Sequence, residues 1–255
     1  MAHLGSFRKH FVLKRNRIGP LVAMQGVIIF SIMVKIGINK KSDYETYENF
    51  HNFSTGGVNF GSKILRDHPK INIVNYKKYI DEFYKKNKEN LLRIEKESNA
   101  YIDKKQNGFW DAVKTVFGHD YKNMPFLGYL SIFDCNPRNV DTRTFQVYFG
   151  RNLRGIAGVA FHESIHFVFF DYINKNMPEE IRTMDKNSGP LWELSELFNV
   201  IILNMPEFQK TLKRKEKLFY PTLRKNFAKA KAAWREAGGD IDKFVFQYLK
   251  NFQKG

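Results

Sequence analysis

In the stretch GVAFHESIHFVFF, residues 158–170, two histidines and a glutamate interrupt an otherwise apolar run. Burying such groups without partners costs roughly 2 to 7 kcal/mol each, so something is expected to hold them. His162 and His166 stand four residues apart. On a helix that separation puts both imidazoles on one face, with about 5 to 6 Å between Cβ atoms. Two imidazoles so placed can grip one zinc ion, and Glu163, one step round from His162, is set to touch a zinc-bound water without taking a coordination position. The chemistry this predicts is hydrolysis: zinc brings the pKa of water to about 7, and the glutamate takes its proton as the water attacks a polarised carbonyl. The plainer reading is a helix with two core histidines that happen to share this spacing. Against it, the chain has seven histidines in all, and the residues flanking this pair are the apolar ones that a dry metal site needs.

A catalytic zinc site takes three protein ligands and keeps one position open. No histidine follows His166, so the third ligand is expected to be an acid. The apolar segment that offers one is GPLWELSELFNVIILN, residues 189–204, where Pro190 suits a first helical turn and Glu193 and Glu196 share a face. An acid at Glu193 is explained by the helix dipole alone. Glu196 lies deeper, among Leu194, Leu197 and Phe198, where an unpaired carboxylate is expensive; it is the favoured ligand and Glu193 the alternative. Asn199, one turn on, is in place to hold a ligand imidazole through its other nitrogen, or else to face solvent.

FHESIH, followed some 30 residues later by an acid in LWELSELFN, resembles the gluzincin branch of the zincin metallopeptidases, and the short spacing is similar to the compact minigluzincins. The resemblance covers about residues 125–205. It implies His162, His166 and Glu196 as zinc ligands, Glu163 as general base, and a peptide or protein as substrate. It also implies an edge strand just ahead of the HExxH helix that holds substrate extended by main-chain hydrogen bonds, and TFQVYFG, residues 144–150, occupies that place. Larger gluzincins carry NExxSD or NEG around the glutamate ligand. This chain has LSELFN, which leaves the choice between Glu193 and Glu196 open. An oxyanion needs a donor besides the metal, and Tyr220 in LFYPTLRKN is the first candidate, with His119 and Tyr172 behind it. A narrower variant keeps the zinc site and applies it to a non-peptide amide.

The elements that must position these groups are legible in the periodicity. FLGYLSIF (126–133) and TFQVYF (144–149) are rich in aromatic and β-branched residues, and with DCNPRNVDTR as turn material between them they predict an antiparallel pair. Residues 155–173 predict a buried helix. Apolar positions from Tyr76 to about Lys105 predict one amphipathic helix, and Phe109 to Phe117 a shorter one. Further helices are expected over 190–204, 222–237 and 241–252, with Gly238-Gly239 as a stop. STGGVNFGSK, 54–63, has the glycine spacing of a phosphate loop but Ser62 and Lys63 in the wrong order, and reads as a glycine-rich turn. The expected class is α+β and zincin-like: a small antiparallel or mixed sheet and the HExxH helix in one lobe, about 43–175, and a mostly helical second lobe, about 176–255, supplying the glutamate.

Composition is that of a globular chain, with 43% hydrophobic and 15% aromatic residues, which excludes a disordered tail protein. The lone Cys135 excludes an internal disulfide and a cysteine-based metal knuckle. The net charge of +16 sits at the ends: residues 1–42 hold eight Lys/Arg and no acid, residues 207–255 thirteen against five, and residues 43–206 balance at 21 of each. The middle was therefore not built around a polyanion, and nucleic acid is not the expected partner. The alternative function is a basic protein on nucleic acid or an anionic membrane, its metal structural or absent. The stretch from Lys210 to Arg235 mixes basic and aromatic residues, but its spacing predicts a solvated face over Leu223, Phe227, Ala230 and Trp234.

Residues 1–42 form a basic and apolar segment set apart from a domain over 43–255. Ile18 to Val34 is uncharged for 17 residues, at the lower limit for a membrane span; it reads as a span, as a buried strand, or as part of an extension ahead of Met24 or Met33. A cytoplasmic location is expected, with anchoring or export through residues 18–34 as the alternative.

Overall fold

In the computed structural model, residues 34–252 are described, with side chains to 250. The apolar run from Ile18 lies outside them except for Val34. Strand β1 (Val34–Ile38) opens the fold, followed by α1 (Lys40–Phe50), the hairpin β2 (Ser54–Thr55) and β3 (Val58–Asn59), α2 (Phe60–Asp67), α3 (Tyr76–Lys86) and α4 (Lys88–Phe117). Then come β4 (Phe126–Ser131), β5 (Arg138–Asn139), β6 (Thr144–Tyr148) and α5 (Leu153–Asn176). The remainder is helical: α6 (Glu179–Arg182), α7 (Gly189–Leu203), α8 (Pro206–Leu212), a 3-10 turn over Pro221–Leu223, α9 (Arg224–Glu236) and α10 (Ile241–Phe252). The fold is α+β, mostly helical with a small mixed sheet.

The sheet has the order β1-β4-β6-β5, and it corrects the antiparallel expectation. β4 and β6 run parallel, with Gly128 opposite Phe145, and β1 is parallel to β4 on the other side. The segment of turn composition between β4 and β6 reverses the chain twice. It leaves β4, returns as the short outer strand β5, antiparallel to β6 with Arg138 opposite Phe145, and turns again into β6. Two reversals restore the original direction, where a single tight turn would have inverted it. β6 is consequently an inner strand, and the edge beside the HExxH helix belongs to residues 136–139: Gln146 N–H donates to the Pro137 carbonyl (2.8 Å) and Tyr148 N–H to Asn136 Oδ1 (3.3 Å).

Alternate residues of a strand face opposite sides, and here both sides are covered. Phe126 and Phe145 face α4 and α5: Trp110, Phe126 and Phe167 stack at 5.1 and 5.7 Å, and Phe109 lies 4.3 Å from Phe161. Gly128 lacks a side chain where the Phe145 ring and Ile36 cross its strand. Gln146 and Ser131 face α1 instead, Gln146 donating to Thr46 Oγ1 (2.7 Å) and Ser131 to Asp43 Oδ1 (2.5 Å). The core continues from the sheet through α5 and α7 to Trp234, Phe244 and Tyr248, and the described residues form one compact unit. β1 and the start of α1 lie inside this core-bearing unit, so the segment 34–42 is structural. Among the described residues, no helix is long and apolar enough to cross a membrane.

The helix expected from 76 to 105 is divided at Asn87, whose amide donates back to the Phe83 carbonyl (2.9 Å) and ends α3. α4 then runs on without a break through Gly108, where the bare backbone lets Thr211 of α8 approach closely. Leu223, Ala230 and Trp234 are buried and Phe227 partly so, as the periodicity predicts. STGG forms the hairpin turn, with Gly56 and Gly57 both at positive φ, and the rest of that motif starts α2.

Asp43 generates a stability prediction. It accepts from Ser131, from Ile132 N–H (3.0 Å) and from the Tyr84 hydroxyl (2.7 Å), yet burial outweighs these bonds and pushes its carboxyl up from 3.8 to about 6. Between those values the folded chain holds a proton that the unfolded chain has lost, so stability falls as pH rises through 6. The loss is roughly 3 kcal/mol, from about 1.4 kcal/mol per pKa unit. Urea unfolding of wild type and Asp43→Asn at pH 4 and pH 7 should show the wild type losing more stability by about this amount; parallel losses would refute it.

Candidate metal centre

Two buried helices cross to make the site. α5 begins at Asn152, whose side chain accepts from Gly155 N–H (2.8 Å), and carries His162 and His166 on one face. α7 begins with Pro190 in its first turn and passes against α5 along its apolar length. Asn199 ties the two: its amide donates to the His162 carbonyl at 2.9 Å. It is fully buried and grips main chain, which corrects both expectations for it, an imidazole partner and a solvent-facing residue.

The consequence is convergence. His162 Nε2 and His166 Nε2 lie 3.2 Å apart, and the Glu196 carboxylate lies 3.8 Å from the first and 3.5 Å from the second. Two nitrogens bound to one tetrahedral zinc at about 2.0–2.1 Å would stand about 3.3 Å apart. The three donors, all within 4.8 Å of one another, therefore fit such an ion. Glu193 does not join them. Its carboxylate takes hydrogen bonds from Asn226 (2.5 Å) and the Tyr248 hydroxyl (2.8 Å), so it braces α7 against α9 and α10. It also stands one residue past the first turn of α7, so the helix dipole does not explain it; its partners on α9 and α10 do.

Glu163 points into a cleft of about 440 Å³ whose lining includes His162, Glu196, Arg138, Glu216 and Tyr220. Its carboxyl is raised by burial, an effect that Arg138 and His162 only partly offset, which brings a base toward its working range. Tyr220 packs edge-on to Trp192 at 5.0 Å and fits over Gly56, where any side chain would collide with its ring. Burial raises its phenol, so it stays protonated at neutral pH and able to donate. His119 lines a separate pocket with Met124 and Lys175, and Tyr172 donates to Asp242 (2.7 Å); neither belongs to the site.

Four residues here carry no sequence signal. Arg138, read as turn material, reaches in from β5 and sets Nη1 at 3.0 Å from Glu196 and 3.7 Å from Glu163. Glu216, an acid among KRKEK, lies 3.4 Å from His162 Nδ1 and is paired with Arg214 at 3.1 Å. Asn204 at the end of α7 fixes that loop twice, accepting from Glu216 N–H (3.0 Å) and donating to its carbonyl (2.9 Å). Arg214 in turn lies flat on Gly158, one turn ahead of His162, in space that a methyl group would fill.

Electrostatically the two imidazoles are unlike. Burial lowers both, but the nearby carboxylates of Glu196 and Glu216 outweigh it at His162 and raise that ring to about 10. His166 has burial and the charge of Arg138 against it and falls to about 3. Burial also opposes the Glu196 charge, yet His166, Arg138 and His162 together hold it well below the ordinary carboxylate range. An ionised carboxylate beside one neutral ring and one ring holding a proton is a donor set that a dication can occupy by displacing that proton. Comparison with protein-family models, curated proteins and solved structures finds no match for this chain.

Glu196→Gln should lower zinc affinity at least about 100-fold in competition with a chromophoric chelator, whereas Glu193→Gln should leave it within about threefold and cost stability instead. Equal zinc affinity in both variants would remove Glu196 from the ligand set. Glu216→Gln should weaken zinc by about 10-fold through the loss of its hold on His162, and Gly158→Ala by less, since it displaces only Arg214. Affinity in Glu216→Gln equal to wild type would leave His162 positioned by packing alone.

Proposed function

We propose that the chain is a zinc-dependent peptidase of the zincin type, with His162, His166 and Glu196 as ligands and Glu163 as general base. The observation that carries the reading is the 3.2 Å separation of the two Nε2 atoms with the Glu196 carboxylate facing both, beside the buried carboxylate of Glu163 in a cleft. The arrangement of a small mixed sheet above a long HExxH helix, with an acid from the next buried helix, agrees with the gluzincin resemblance.

A zinc ion held there would supply Lewis-acid polarisation of the scissile carbonyl and a water acidic enough to lose its proton near neutrality. The chain's own residues do the rest. Glu163 Oε2 is buried with no hydrogen bond among the described residues, which leaves it available to take a proton and return it to the leaving amine. Tyr220 donates its hydroxyl to the oxygen that gains charge, and the Arg138 guanidinium beside it adds a fixed positive field. An extended peptide would lie along the outer side of residues 136–139, because β6 is already paired on both edges.

Glu163→Gln should keep its zinc, measured by elemental analysis, while hydrolysis of a fluorogenic peptide library falls by about 10²- to 10⁴-fold. Tyr220→Phe should lower kcat by about 100-fold with KM little changed. Hydrolysis by Glu163→Gln at the wild-type rate would overturn the assignment of the base.

A further inference from the structure

The cleft beside Glu163 is lined by five cationic side chains, Arg138, Arg151, Arg214, Lys215 and Lys217, against three carboxylates, Glu163, Glu196 and Glu216. All three acids face inward, each within 4 Å of a site histidine or of Arg138. The arginines are likewise engaged: Arg138 with Glu196, Arg214 with Glu216 at 3.1 Å, and Arg151 with Asp134 at 2.5 Å. Lys215 and Lys217 remain. They are exposed on the loop that leads to Phe219 and Tyr220, and neither has a carboxylate within ion-pair reach among the described residues.

Resting on the peptidase reading, we propose that this cleft selects acidic peptides, with side-chain carboxylates of the substrate facing Lys215 and Lys217. Counted over these lysines, arginines and carboxylates, the excess of two positive charges becomes four once a dication has replaced the His162 proton, so a substrate rich in Lys or Arg is repelled and one rich in Asp or Glu is drawn in. The same wall does not suit a single-stranded nucleic acid. Such strands need successive aromatic faces to stack on, whereas Tyr220 is turned edge-on to Trp192 and to Phe219, and only Phe219 is exposed. Phe219 instead offers an apolar surface of side-chain size next to the lysines.

The test uses the zinc-loaded full chain and two fluorogenic peptide pools with amidated C-termini, identical except that fixed positions hold Glu in one and Lys in the other. The Glu pool should be hydrolysed with kcat/KM about 10-fold or more above the Lys pool, and the ratio should shrink about threefold or more in 0.5 M NaCl and in the exposed-site double variant Lys215→Glu/Lys217→Glu. A thermal melt of that variant matching wild type shows that the change acts on selection. Equal hydrolysis of the pools, or a preference for Lys, overturns the proposal, as does a preference that appears only with a free C-terminus. If neither pool is cleaved, the peptidase reading fails, and fluorescence anisotropy with Glu163→Gln decides this one: tighter binding of the labelled Glu pool supports an acid-selective cleft, and equal binding of both pools overturns it. Tighter binding of an oligo-dT of equal charge than of the Glu pool also overturns it, in favour of nucleic acid.

Discussion

A carboxylate, that of Glu196, is held ionised inside a core of phenylalanine and leucine, and the arrangement around it follows from keeping it so. Alone, that charge would be among the most costly groups a fold can bury. Arg138 approaches it from the sheet and two imidazoles approach from α5, so neutralising charge comes from two separate elements. The crossing of α5 and α7 must then be exact to a fraction of an ångström, and Asn199 fixes it by donating to the main chain of His162.

The surroundings are organised in a second ring. Glu216 stands 3.4 Å from His162 Nδ1, Arg214 holds Glu216, and Gly158 makes room for Arg214, a chain of contacts that starts and ends on α5. Asn204 anchors the loop that supplies it. The loop is therefore part of the site's architecture, although its composition is that of a solvated basic stretch. The β2–β3 hairpin supports the same loop from behind Tyr220, since its left-handed Gly56 receives the Tyr220 ring.

What could be read in the sequence was whatever has a fixed spacing. The two histidines four apart, the glutamate between them and the helices that bury their apolar faces follow from local periodicity, as do β4 and β6 as strands. Strand direction did not follow, because DCNPRNVDTR has turn composition and the two-residue β5 within it is too short to produce a pattern. Arg138 was missed for the same reason. Glu216 was hidden because a lone acid among bases reads as charge balance, and its contact with His162 spans 54 residues of chain. The choice between Glu193 and Glu196 was legible in part: depth within the helix favoured Glu196, but only the partners Asn226 and Tyr248, from distant helices, explain why Glu193 is occupied elsewhere.

The brevity of β5 has a further effect. Arg138 and Asn139 are its whole length, and consecutive residues of a strand point to opposite sides of the sheet. A one-residue shift in the pairing of β5 with β6 would exchange which of the two looks toward α5, putting an amide where the guanidinium now stands. The turn is pinned accordingly, by Asn139 accepting from Thr142 N–H (3.1 Å) and by Arg143 at a positive φ of 52°. The register is thus subject to a parity rule: β5 can shift against β6 by even steps or not at all while the cation keeps its post.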